Sequence, residues 1–180
     1  MIRGTGTVAY ILLYLTVIVG LFSQVQKKRK KKMFGVINFH EELSNLAMIL
    51  VVGHLGLLLL DTYIGFKWTE IFVPFSTNYK PIPMALGTIS FYFLVITFIT
   101  SKLRKKMGYL RWRKLHALNP ILYIMVTIHG LWIGTDFNPE IVAIANLVPF
   151  PIMGIFALLM KFTKEKPKTK TTRAVTRYTE

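Results

Sequence analysis

Five apolar stretches, at about residues 7–23, 41–60, 83–101, 115–134 and 141–160, occupy most of this 180-residue chain. A helix needs roughly 20 mostly apolar residues to cross a bilayer, and each stretch meets or approaches that length. Hydrophobic residues make up 53% of the chain and charged ones 17%, which is more apolar and less charged than a soluble domain of this size. The loops between the stretches are short and leave no room for a separate soluble core. The sequence therefore predicts an all-α, polytopic membrane helical bundle with about five transmembrane helices. One domain is expected over residues 1–162, followed by a basic tail at 163–180.

Charge gives that bundle a direction. The chain carries 23 Lys and Arg against 8 Asp and Glu, a net charge of +15. Six of the basic residues fall in 27–32 (KKRKKK), seven in 102–114 and seven in 161–177. These clusters occupy alternate loops, as expected when cytoplasmic loops hold the Lys and Arg excess. The N-terminus is then outside and the tail cytoplasmic, in a multi-pass protein of the plasma membrane. KKRKKK alone would also suit a nucleic-acid patch. Its place directly after an apolar span makes it a topology determinant, and no nucleic-acid partner is expected. Residues 1–23 have a weak basic start and no small-residue cleavage site, so they read as a retained first helix.

No cysteine is present. That excludes disulfides, thiolate metal sites and cysteine-attached haem. Metal ligands must come from histidine, carboxylate or methionine.

The four histidines carry the functional signal. His40 and His54 lie fourteen residues apart in the second stretch, and His116 and His129 lie thirteen apart in the fourth. Polar groups in a bilayer core are costly and usually functional. Both helices run from inside to outside, so His40 and His116 share an inner depth and His54 and His129 a deeper one. Fourteen residues span roughly 21 Å of helix. That leaves room for two stacked b-type haems, each held by one histidine from each helix. Bis-histidine ligation leaves no open iron position and favours electron transfer. The angular match is uneven. Fourteen residues return to within about 40° of the starting direction, whereas thirteen miss it by about 140°. Pro120 lies between His116 and His129, where it would bend the helix or free a carbonyl.

Other residues read two ways. Gly4, Gly6 and Gly20 suit close helix approach or are ordinary membrane glycines. Gly53 and Gly56 flank His54 and would let a flat macrocycle approach the backbone. The third stretch carries no ionisable group and reads as packing. Residues 61–82, rich in aromatics with Pro74 and Pro81, suit an interfacial segment or a cap over a haem edge. Asp61 and Asp136 are helix-end polar residues or an acidic outer lip. Arg111, Arg113 and Lys114 serve topology or pair with haem propionates. Pro149 and Pro151 predict a kink in the fifth span.

At these residues the chain resembles the ferric-reductase-like transmembrane family, which includes NADPH oxidases, yeast ferric reductases and the haem-binding membrane subunit of a bacterial methionine sulfoxide reductase system. The matching pieces are RGTGTVAYILLYLTVIVGL, the His40–His54 pair, the PMALG…TSKLRKKMGYLRWRKLH run ending at His116, and His129–Gly130. The likeness extends over about residues 3–160. It implies a transmembrane cytochrome b, the electron-transfer subunit of an oxidoreductase, moving electrons through two haems b. One haem would be shared by His40 and His116 and the other by His54 and His129. Relatives often have six spans, and the oxidases carry a flavin and nicotinamide domain that a twenty-residue tail cannot form. Electrons would come from a separate flavoprotein, which supplies any flavin, or from quinol. The acceptor would be extracytoplasmic: ferric iron, oxygen or a partner redox protein. The competing reading is a haem-free transporter or scaffold subunit with structural histidines.

Overall fold

The computed structural model describes residues 2–29, 34–133 and 149–162. Among these residues the chain forms eight helices and no strand. They are α1 (Ile2–Lys28), α2 (Val36–Leu60), α3 (Trp68–Phe72), α4 (Pro81–Lys102), α5 (Arg104–Met107), α6 (Tyr109–His116), α7 (Asn119–Ile133) and α8 (Pro149–Phe162). The expected helical membrane bundle is present. Four stretches are long and apolar enough to cross a bilayer: Gly4–Lys28, Val36–Leu60, Pro81–Lys102, and Tyr109–Ile133, which joins α6 and α7. The fifth expected span falls only partly within the described residues. Its described portion, α8, has 14 residues, fewer than a crossing needs. Pro149 and Pro151 are the first and third residues of that described portion; the stretch before them, and with it the expected kink, lies outside the described residues. Asp136, the turn at 135–140 and the tail at 163–180 lie outside the described residues.

Large apolar side chains on the outer faces remain uncovered: Ile37, Ile49, Leu60, Ile121 and Leu158 are each more than half exposed. In water such a surface would associate; in lipid it is the matched solvent.

The described chain is built on two antiparallel helix pairs, α1 with α2 and α4 with α7. In the first, Gly6 lies against His54, Leu13 shares a core cluster with Ala47, and Gly20 lies against His40. In the second, Gly87 lies against His129 and Ser101 against His116. The pairs meet where α1 packs on α7. Leu13, Ala47 and Tyr123 are buried together there, bordered by Tyr10, Tyr14, Leu94 and Val126. α8 packs on the far side of α1, where Phe22 and Phe156 meet edge to face at 6.5 Å.

The hydroxyls along α4 are satisfied locally, as lipid requires. Ser90, Thr97, Thr100 and Ser101 each donate to a carbonyl three or four residues earlier in α4. Thr88 also donates to Ile71 O at 2.7 Å, and Tyr92 donates to Phe72 O. These bonds tie α3 down onto α4, so the 61–82 connection is a docked element with a short helix inside it. Phe66, Ile71 and Met84 form a second core cluster there, against Leu55, Leu58 and Ile133.

The basic ends of α1 and α4, together with α5 and α6, gather at one end of the bundle. Gly108, at φ 84 and ψ 151, turns the chain between α5 and α6 in a conformation only glycine adopts easily. Lys102 pairs with Glu41 across that end at 2.6 Å. Both side chains are about half exposed, so the pair contributes at most about 1 kcal/mol.

Ala47 has no exposed surface at the crossing of α1 and α2. Ala47→Leu is expected to cost about 1–3 kcal/mol by overpacking, read as an earlier midpoint in detergent-denaturant unfolding. An unchanged midpoint would mean that the two helix pairs are not closed around this residue.

Candidate functional site

Each histidine is carried by one helix and gripped by another packed against it. His40, on α2, places Nδ1 3.0 Å from Thr16 O on α1. His129, on α7, places Nδ1 2.7 Å from Pro83 O at the start of α4. A carbonyl oxygen carries no hydrogen, so in both cases the imidazole must donate from Nδ1. The tautomer is thereby fixed, and Nε2 keeps its lone pair.

His116 reaches the same state by another route. Its Nδ1 lies 3.2 Å from Ser101 Oγ. Ser101 spends its own hydrogen on Thr97 O at 2.7 Å and accepts from Trp112 Nε1 at 3.1 Å. The serine oxygen is therefore an acceptor for His116. Asn119 Nδ2, which carries two hydrogens, donates to His116 O at 3.0 Å and also lies 3.3 Å from the same Nδ1, a longer contact than that of Ser101. That carbonyl is available because Pro120 has no N–H to offer it. For His54, Thr5 Oγ1 lies 3.5 Å from Nδ1, at the long limit of a hydrogen bond.

Glycines set how closely these rings approach the neighbouring helix. A Cβ placed on Gly87 would stand 2.5 Å from His129, on Gly6 3.0 Å from His54, and on Gly20 3.1 Å from His40. The fourth histidine meets Ser101 at the equivalent place. In contrast, a Cβ on Gly53, Gly56 or Gly130 would meet nothing within 4 Å. The glycines beside the outer histidines on their own helices thus open onto unfilled space.

His40 and His116 are brought together. Their ring centres are 6.0 Å apart and their planes cross at 75°. Two imidazoles bound through nitrogen on opposite sides of one metal ion, with bonds of about 2 Å, hold their ring centres about 6 Å apart. The inner pair fits that separation. His54 and His129 are each held on a separate partner, His54 by α1 and His129 by α4. Neither helix pair joins α2 to α7, so the histidine helices are propped apart by α1 and α4. Among the described residues no three His, Asp or Glu side chains converge as a protein-only metal site would need. A haem asks less of the chain, since the macrocycle supplies four of the ligands and the protein only the axial ones.

The two levels are separated by a tyrosine layer. Tyr123 is fully buried seven residues beyond His116, with its ring stacked on Tyr10 at 5.4 Å and tilted against Tyr14 at 6.0 Å. Tyr123 donates to the Tyr10 hydroxyl, which lies 3.2 Å from Thr127 Oγ1.

The thirteen-residue spacing has a structural answer. α6 stops at His116, Ala117 and Leu118 form a turn, and α7 restarts at Asn119. The two histidines therefore sit on different helices, with the break at Ala117–Leu118 between them. Arg113 donates to the Tyr109 hydroxyl at 2.6 Å, and Arg104 lies over Trp112. Asp61 accepts from Ile64 N at 3.2 Å, a bond within its own turn that favours the helix-end reading. Sequence reasoning missed Thr16, Pro83, Gly87, Ser101, Trp112 and Asn119. One signal was readable: Gly6 and Gly20 are fourteen apart, as are Gly87 and Ser101, the interval that separates His40 from His54.

A family-level comparison matches residues 5–127 to the ferric reductase like transmembrane component. No curated protein and no solved structure matches the chain. The matched span holds His40, His54 and His116, with Gly6, Gly20, Gly87 and Ser101, and stops two residues short of His129. With more than half of its length in that match and four spans of the required kind, the chain belongs to the ferric-reductase-like transmembrane family.

Proposed function

We propose that this multi-pass membrane protein is a b-type cytochrome that carries electrons across the membrane, as the electron-transfer subunit of an oxidoreductase. His40 and His116 would hold an inner haem, and His54 and His129 an outer one. The observation that carries this reading is the inner pair: two imidazoles 6.0 Å apart, each with Nδ1 engaged behind it. The outer pair is supported by the Pro83 carbonyl behind His129 and by the glycines that seat both outer rings.

A bound haem iron supplies reversible one-electron chemistry. The chain's own residues do the rest. Thr16 O, Pro83 O and Ser101 Oγ accept the Nδ1 protons and keep Nε2 as the ligand atom. With two histidines offered to each haem, the group would supply electron transfer rather than ligand binding. Tyr123, Leu13 and Ala47 fill the space between the levels and exclude water. By the bias of basic loops, the end bearing Lys27, Lys102 and α5–α6 faces the cytoplasm, so the inner pair is the cytoplasmic one. The donor in this reading is a cytoplasmic flavoprotein, bringing its own flavin, or quinol. The acceptor is extracytoplasmic: ferric iron, oxygen or a partner redox protein.

Purified protein expressed with ample haem is expected to contain about two haems b per chain by pyridine haemochrome assay, with a reduced spectrum that carbon monoxide leaves unchanged. A haem-free protein would contradict the reading and favour a transporter or scaffold. Gly87→Ala gives a second check. In a plain helix the change would stabilise by up to about 1 kcal/mol. Here the added carbon displaces His129, so loss of the outer haem with retention of the inner one is expected. Retention of both would show that His129 does not need its seat on α4.

A further inference from the structure

His116 is held differently from His40 and His129. His40 and His129 donate to backbone carbonyls, which are strong acceptors already fixed by their helices. Behind His116 stands a hydroxyl oxygen that accepts a second bond, from the indole N–H of Trp112. Trp112 also lays its ring on the imidazole, with centres 4.9 Å apart and planes 28° from parallel. It lies four residues before His116, on the same face of α6. The Arg104 guanidinium stands over the indole at 5.3 Å.

We propose that Ser101 and Trp112 form a positioning pair that sets the reduction potential of the inner centre through His116. This inference rests on the reading of His40 and His116 as axial ligands. An acceptor behind Nδ1–H pushes electron density into the ring, strengthens Nε2 as a donor and stabilises the oxidised iron. Two donors on one oxygen compete, so the indole weakens the hold of Ser101 on the imidazole proton. Ser101 therefore fixes the tautomer, while Trp112 limits how much charge the ring gains. The stacked indole holds the ring plane while this happens.

The two roles give opposite signs. Ser101→Ala removes the acceptor, and the inner potential rises. Trp112→Phe keeps an aromatic ring beside His116 but removes the competing N–H, so Ser101 accepts more strongly and the inner potential falls. Ser101→Thr keeps the hydroxyl and stays near the parent value. The outer centre, backed by Pro83 O, does not move in any of the three. A purely structural role would shift both main variants the same way or neither.

The test is a redox-poised absorption titration of the full chain in detergent, comparing the parent with Ser101→Ala, Trp112→Phe and Ser101→Thr. A rise, a fall and no change in the inner potential, in that order, support the proposal. Shifts of one sign in the first two, or no shift in either, overturn it while leaving the cytochrome reading intact. If Ser101→Ala fails to retain the inner haem, Trp112→Phe decides alone, since an inner potential that does not fall overturns the proposal. A parent protein that binds no haem removes the reading beneath it as well.

Discussion

A buried imidazole in a bilayer has a proton that lipid cannot accept, and the rest of this structure follows from where that proton goes. Thr16 O accepts it for His40, Pro83 O for His129 and Ser101 Oγ for His116. A missing partner would cost about 1–3 kcal/mol or more in so dry a setting. Each acceptor lies on the helix packed against the one that bears the histidine. The bonds therefore fix helix register and imidazole tautomer together. Sliding α1 along α2 by one turn would take Gly6, Gly20 and Thr16 away from their histidines at once.

Register also explains why α1 and α4 are as much part of the site as α2 and α7. α1 offers Gly6 and Gly20, and α4 offers Gly87 and Ser101, each at the histidine interval. The midpoints of the paired helices fill the centre, with Leu13 and Ala47 from one pair and Tyr123 from the other. This packed centre thus lies between the end that brings His40 to His116 and the parts of the helices that carry His54 and His129. The Tyr10–Tyr123–Thr127 hydrogen bonds lie in the middle layer and close the contact between the two pairs.

Much of this was legible from the amino acids. Apolar length predicted five spans, of which four lie among the described residues, basic clusters predicted the end at which Lys27, Lys102 and α5–α6 gather, and the positions of His40 and His116 predicted a shared depth, where their rings lie 6.0 Å apart. What stayed hidden depended on neighbours. α4 has no ionisable group inside its span, so it read as packing. Its role lies in a backbone carbonyl at Pro83 and a hydroxyl at Ser101, which no hydropathy pattern marks. The apparent misfit of His116 and His129 came from assuming one continuous helix. Pro120 leaves His116 O without its backbone donor, Asn119 takes it, and α6 and α7 are separate helices. Part of the fifth expected span, with Asp136, lies outside the described residues.

The central claim is that the histidines work in pairs across the two helix pairs, not along one helix. The most direct measurement is a comparison of reduced-minus-oxidised spectra for His40→Ala, His116→Ala, His54→Ala and His129→Ala. The account predicts two classes. His40→Ala and His116→Ala should lose one and the same spectral component, and His54→Ala and His129→Ala the other. Loss of a common component by His40→Ala and His54→Ala, or spectra untouched by any of the four, would contradict it.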